Sequence, residues 1–159
     1  MKFFFMVLCA ALFSYCAFAR EVADASGRTF DFDAPPTAAT VVPNISQEVY
    51  AIGAQDFLLG NSNYCIYPED AKYKPKLGGL LNPDYEKIAK AAPEIFLLPL
   101  SPTGRAIARR LESVGVRPFF LNTEGIENVS KDILLLGKVF FKDAAAEKIA
   151  RDFDAEIRD

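Results

Sequence analysis

Between Asn63 and Ile88 the chain reads NYCIYPEDAKYKPKLGGLLNPDYEKI, and its most reactive and adhesive side chains gather there. Tyr64, Tyr67, Tyr73 and Tyr85 share this stretch with Cys65, Leu80, Leu81 and a Gly-Gly pair. Tyrosine joins a flat apolar face to a polar tip. A cluster of tyrosines therefore either packs down onto a core or offers a surface to a large conjugated ligand. Residue type alone leaves both readings open. Cys65 is either a small buried hydrophobe or a reactive thiol, and free cysteine more often plays the first part. Ahead of Asn82 the stretch follows neither a helical nor a strand period.

What the chain lacks narrows the chemistry. It has no histidine, which removes Ser-His and Cys-His nucleophilic sites, histidine-ligated zinc and the commonest general base. No Gly-x-Ser-x-Gly elbow and no Gly-x-x-x-x-Gly-Lys loop occurs, against an α/β hydrolase or a nucleotide-using enzyme. Residue type permits a carboxylate-based glycosidase, but no two acids are spaced as a working pair. A binding module thus stands ahead of an enzyme. The formal charge is −3 with no basic patch, which gives no reason to expect nucleic acid as a partner.

The first residues belong to targeting. Met1-Lys2 is a short basic start, Phe3 to Phe18 is almost wholly apolar, and Ala17-Phe18-Ala19 offers small residues where a signal peptidase reads. Residues 1–19 are expected to be a signal peptide cleaved before Arg20, placing the protein in the periplasm or another extracytoplasmic space. The run is shorter than the about 20 residues of a comfortable membrane span. An uncleaved anchor is the alternative, and Tyr15 argues against lipoprotein processing at Cys16. With Cys9 and Cys16 in the leader, Cys65 is left alone and no internal disulfide is available. The Asn-x-Ser matches at Asn44 and Asn128 read as chance.

The elements that position the tyrosine-rich stretch alternate along the chain. GRTFDFD alternates as a short strand and APPTAAT breaks it. TVVP is the next strand, and NISQEVYAIGA a helix with Ile45, Val49 and Ile52 on one face. Asn44 and Gln47 have the spacing of a capping box, and Gly53 the place of a stop. DFLLGNS is a second strand. NPDYEKIAKAAP predicts a helix capped by Asn82 with Pro83 in its first turn. EIFLLPL is a strand covered on both faces. Residues 103–115 form a helix with Ile107, Leu111 and Val114 inward, and RPFFLN the next buried strand. GIENVSKDILLLGKVF predicts a helix with Ile126, Val129, Ile133, Leu136 and Val139 or Phe140 inward. A last charged helix carries Ala145, Ile149, Phe153 and Ile157 on one stripe and runs to the final residue, which reads as a domain cut short. Strand and helix in alternation predict an α/β fold with a mainly parallel sheet. Such sheets bind ligands at the carboxyl ends of their strands. VVPN, NSNYCIYPED and LPLSPTG would all arrive there, and helix starts among them suit anionic or carbonyl oxygens.

The segments DASGRTFDFDAPPTAATVVPN, GNSNYCIYPEDAK and KPKLGGLLNPDYEKIAKAAPEIFLLP together resemble the substrate-binding proteins of ABC importers for corrinoids, haem and ferric siderophores. The resemblance covers nearly the whole chain after the leader. The pairing of Gly-Gly-x-x-Asn-Pro-Asp with Tyr-Cys-x-Tyr-Pro is its most specific part, and the vitamin B12-binding branch its nearest form. It implies two Rossmann-like lobes joined by one long helix, with the ligand between them. Residues 20–142 would be the first lobe and residues 143–159 the start of the helix, with the second lobe absent. By the same resemblance Tyr64 stacks on the ligand, Pro43 and Asn44 approach it, Leu80 and Leu81 wall it, and Ser101 faces the same opening. Glu86 would dock onto arginines of the membrane permease; the alternative is an ordinary solvated helix charge. No protein-held cofactor or metal is implied, because iron or cobalt arrives inside the chelate. The expected partners are a corrinoid, haem or ferric siderophore, the permease, and a separate second lobe if one exists. A lone lobe that binds nothing is the competing reading.

Overall fold

The computed structural model describes residues 19–158. The expected leader, apart from Ala19, lies outside the described residues. The chain opens with β1 (Arg20–Ala23) and β2 (Thr29–Phe32), followed by β3 (Ala38–Thr40), α1 (Pro43–Ala51) and β4 (Leu58–Gly60). Two very short strands, β5 (Gly78–Gly79) and β6 (Asn82–Pro83), precede α2 (Tyr85–Ala91) and β7 (Ile95–Pro99). Then come α3 (Pro102–Glu112), β8 (Arg117–Leu121), α4 (Val129–Val139) and α5 (Asp143–Arg158).

The central sheet has the order β4-β3-β7-β8 and is parallel throughout. Alternation along β7 divides the core in two. Ile95 and Leu97 face α1, α4, α5 and the β1–β2 hairpin, while Phe96 and Leu98 face α2 and α3. Every residue of β7 is buried, as expected for a strand covered on both sides. The β1–β2 hairpin adds Val22, Phe30 and Phe32 to the first of these clusters. Its turn is knitted by Asp24, whose side chain is wholly buried. That carboxylate accepts from Ser26 N–H (2.9 Å), Ser26 Oγ (2.7 Å), Arg28 N–H (3.0 Å) and Phe120 N–H of the edge strand β8 (3.2 Å). The Asp-x-x-Gly-Arg signature is thus a device for closing one edge of the sheet.

Several local expectations shift. β3 is Ala38–Thr40, inside the segment read as a break, rather than the β-branched TVVP. It lies between β4 and β7 with helices on both faces, and small Ala38 and Ala39 fit that crowded position. α1 starts at Pro43 with Val42 at the cap, so the Asn44–Gln47 capping box does not form. Proline at the first helical position loses no hydrogen bond, which moves the start one residue earlier. α2 is capped by Asp84, which accepts from Lys87 N–H (3.1 Å), because Asn82 and Pro83 are taken up in β6. Val114 and Ile126 are exposed: α3 ends at Glu112, and Ile126 sits in a separate 3-10 turn out of phase with α4. On α5 the fully buried positions are Ala146 and Ala150, and Ile157 is exposed.

Candidate ligand cavity at the carboxyl end of the sheet

After β3 the chain turns to α1 on one face of the sheet, and after β7 it turns to α3 on the other. Between those strands the connections diverge, which opens a crevice beyond their carboxyl ends. A cavity of about 250 Å³ sits beside it, lined by Val41, Val42, Pro43, Tyr64, Leu80, Leu81 and Asn82. Pro43, Tyr64, Leu80 and Leu81 are therefore brought together at one cavity. Asn44 is exposed in the first turn of α1 and does not line this cavity. Ser101 does not line it either; its Oγ accepts from Gly104 N–H (3.1 Å) as the cap of α3. Val41, Val42 and Asn82, which the sequence pattern places in a strand and at a helix cap, complete the wall. Their signal was adjacency in the chain to Pro43 and Leu81.

No lining residue carries a charge, so the wall offers apolar surface, an aromatic face and one amide. Tyr64 is 69% exposed and Leu81 90% exposed. Both project from a loop whose own backbone is tightly held. The Gly-Gly pair explains how. Gly78 has φ +95°, and a Cβ there would lie 2.5 Å from Asn82 O, so the β5–β6 hairpin closes only around glycine. At Gly79 a Cβ would lie 2.8 Å from Tyr64 Cε2. The ring of Tyr64 rests where a side chain would otherwise stand.

The rest of the loop is fastened from below. Asn61 is fully buried; its Nδ2 donates to Ala71 O (2.9 Å) and its backbone pairs with Pro75 O and Leu77 N–H. Lys76 Nζ donates to Asn61 Oδ1 (2.8 Å), Cys65 O (3.0 Å) and Ala71 O (2.9 Å). Loss of hydration pulls the Lys76 ammonium below the usual lysine range. Asn63 pairs with Gly78 through both backbone and side chain. Cys65 is buried at 1% exposure, the small-hydrophobe alternative. Tyr67 and Tyr73 are exposed, and Tyr67 precedes a cis proline. Tyr85 is half-buried under the guanidinium of Arg110, 4.1 Å from its ring centre. The four tyrosines thus divide: one lines the cavity, one packs, and two face outward elsewhere. Glu86 stands exposed in the first turn of α2.

Other concavities have different chemistry. One of about 500 Å³ lies between Pro75–Leu77 and the Lys87–Ala91 side of α2. One of about 200 Å³ is lined by Arg28, Arg105 and Arg109 between the hairpin turn and α3. Neither includes a residue expected at the ligand. Among the described residues no group of three His, Cys, Asp or Glu side chains is placed to hold a metal ion. Away from the cavity, Glu48 of α1 and Asp132 of α4 form a buried acidic pair. Burial, and then the Asp132 charge, push Glu48 up to about 8. Burial raises Asp132 to about 6 against the hydrogen bond from Asn122 N–H (3.0 Å) and the charge of Lys131.

The family model for periplasmic binding proteins matches residues 39–159. The chain belongs to that family. A curated relative, the uncharacterized ABC transporter substrate-binding lipoprotein YvrC of Bacillus subtilis, is 22% identical over 129 residues, 79% of this chain and 40% of its own length. Among solved structures, the periplasmic vitamin B12 binding protein BtuF of Vibrio cholerae superposes with a TM-score of 0.70 at 21% identity. That match covers 78% of this chain and 49% of the other. A periplasmic heme binding protein from Pseudomonas aeruginosa gives 0.69 at 22% identity, covering 77% and 45%. At these identities the structures show a shared fold: an α/β unit with a parallel four-stranded sheet between helices. The chain spans less than half the length of the curated relative.

Proposed function

We propose that this member of the periplasmic binding protein family is the solute-capturing component of an ABC importer. It takes up a metal chelate of the corrinoid, haem or ferric-siderophore kind outside the cytoplasmic membrane and hands it to a permease. The observation that carries this reading is the uncharged cavity of Pro43, Tyr64, Leu80 and Leu81 at the carboxyl ends of the parallel strands. An aromatic face flanked by aliphatic walls suits a broad conjugated or largely apolar ligand surface. At about 250 Å³ the cavity is smaller than the roughly 300–1,000 Å³ of complete ligand sites. It is half of a site, and a second lobe closing on Tyr64 and Leu81 would supply the remainder. On this reading residues 20–142 are one lobe and α5 leads toward the other. The apolar leader over residues 1–19 fits delivery across the membrane, and the metal travels inside the ligand. Glu86, exposed and free of ion pairs among the described residues, is the docking carboxylate for a permease arginine.

Tyr64→Ala tests the cavity. The protein and the variant are titrated with cyanocobalamin, haemin and a ferric siderophore. Loss of a stacked ring is worth about 1–1.5 kcal/mol, which is about a tenfold loss of affinity for whichever ligand binds. Stability should change by less than about 0.5 kcal/mol, since the ring is mostly exposed. Unchanged affinity would remove this cavity from the binding site.

A further inference from the structure

Lys76 has no place in the wall of the ligand cavity, yet its side chain makes three of the hydrogen bonds that hold the loop together. An ammonium has three N–H donors. All three are used, on oxygens from three separate points of the chain: Asn61 Oδ1 at 2.8 Å, Ala71 O at 2.9 Å and Cys65 O at 3.0 Å. The first point lies just after β4, the second in the 3-10 turn Glu69–Tyr73, and the third directly after Tyr64. Lys76 itself pairs with Asn61 as an isolated parallel bridge. One positive charge thus gathers three points of a loop whose ends Asn61 already joins through Pro75 O and Leu77 N–H, and it alone reaches Cys65 O. Before Tyr64 the chain is held by the pairing of Asn63 with Gly78, and at Tyr64 and Cys65 the remaining backbone bonds are local: Tyr64 N–H donates to Ser62 Oγ (3.2 Å) and Cys65 N–H to Ser62 O (3.1 Å). Without the ammonium, nothing ties the Cys65 carbonyl to the base of the loop.

We propose that Lys76 is a positioning residue for ligand capture, its ammonium holding the Tyr64–Cys65 backbone so that the tyrosine ring stays seated over Gly79 and faces the cavity. This rests on the reading of the cavity as the ligand site. A neutral side chain cannot replace the ammonium, because each of the three oxygens is an acceptor and charge-assisted hydrogen bonds are the stronger kind. Water offers two donors where three are needed. A potassium or ammonium ion is of the right size and charge to sit among the same oxygens once the Nζ position is vacated.

Lys76→Met keeps most of the stem and removes the nitrogen, so it tests the idea with little loss of packing. Amide hydrogen exchange is followed at Tyr64 and Cys65, with Leu97 and Phe119 in the central strands as internal controls. The expected result is exchange about tenfold faster in the loop with the strand amides unchanged, reversed by ammonium or potassium chloride but not by tetramethylammonium chloride. Affinity for whichever of cyanocobalamin, haemin or a ferric siderophore the wild type binds should fall by about tenfold and recover with the same two salts. Unchanged loop exchange would overturn the proposal, as would equal acceleration in loop and strands, which would make Lys76 a general stability residue. If the wild type binds none of the three ligands, the reading of the cavity fails, and the exchange measurement still decides whether Lys76 holds Tyr64. Should Lys76→Met not fold, Lys76→Gln retains an amide donor. It is then expected to show an intermediate exchange rate, and a wild-type rate would be contradictory.

Discussion

Replacing Glu48 by Gln should remove the part of the α1–α4 interface's pH-dependent weakness that develops between pH 4.5 and 8, leaving only the part that belongs to Asp132. Glu48 is 9% exposed, and its Oε2 has no hydrogen-bond partner. Its carboxyl is held at about 8, against 4.5 for the free group. Below pH 4.5 the group is protonated in both folded and unfolded chains and costs nothing. Between 4.5 and 8 the unfolded chain releases the proton while the fold retains it, so stability falls as pH rises; above 8 the loss is complete. At about 1.4 kcal/mol per pH unit, the penalty reaches about 3 kcal/mol at pH 7 and about 5 kcal/mol above pH 8. Asp132, at about 6 against 3.8, adds a similar loss of about 3 kcal/mol that is complete above pH 6. It ionises first, so it is Glu48 that feels a neighbour already charged. Gln cannot ionise, but its buried amide costs about 1–3 kcal/mol where a donor goes unpaired. The curves should therefore cross. By urea unfolding between pH 4 and 9, Glu48→Gln should be weaker than wild type by about 1–3 kcal/mol at pH 4.5 and stronger by about 2–4 kcal/mol above pH 8. Parallel curves over the whole range would refute the argument, because they would mean Glu48 titrates alike in the folded and unfolded chains.

Gly79→Val should displace the Tyr64 ring, since its Cβ alone would come to 2.8 Å from Cε2. Ligand affinity should fall about as far as in Tyr64→Ala, and the double variant should fall no further, as titration of all three would show. Asp24→Asn should destabilise by about 2–4 kcal/mol in urea unfolding. Three donors share Oδ1, while Phe120 N–H and Arg28 Nε (3.4 Å) use Oδ2, so an amide nitrogen in place of either oxygen would face donors, and the charge that pairs with Arg28 would be lost. A change under about 0.5 kcal/mol would mean the turn does not depend on that carboxylate.

The strands that were easiest to recognise were those whose burial is set by local composition. EIFLLPL and RPFFLN are apolar throughout and form β7 and β8. β3 is not legible locally, because its neighbours, rather than its own residues, make Ala38–Thr40 a strand. Helix starts slipped where two polar residues competed: Asp84 caps α2 because the hairpin partner of Asn82 lies at Gly79, a pairing that no local pattern displays. Pro43, Tyr64, Leu80 and Leu81 are singled out in the sequence by the family resemblance alone, and the structure gathers them at one cavity. Lys76 and Asn61 are not singled out, because a lysine spent inside a loop looks the same in sequence as a solvated one. Its role exists only once Cys65, Ala71 and Asn61 are folded around it.

The central claim is that a chelate is held at the carboxyl ends of the parallel strands, and amide chemical-shift mapping tests it most directly. Isotope-labelled protein is titrated with cyanocobalamin, haemin and a diamagnetic gallium siderophore analogue. The account predicts that for at least one of them the shifts cluster at Val41, Val42, Tyr64 and Leu80–Asn82. Shifts confined to Pro75–Leu77 and Lys87–Ala91, around the larger concavity on the flank of α2, would place the ligand elsewhere; no shift with any of the three would contradict ligand capture by this chain.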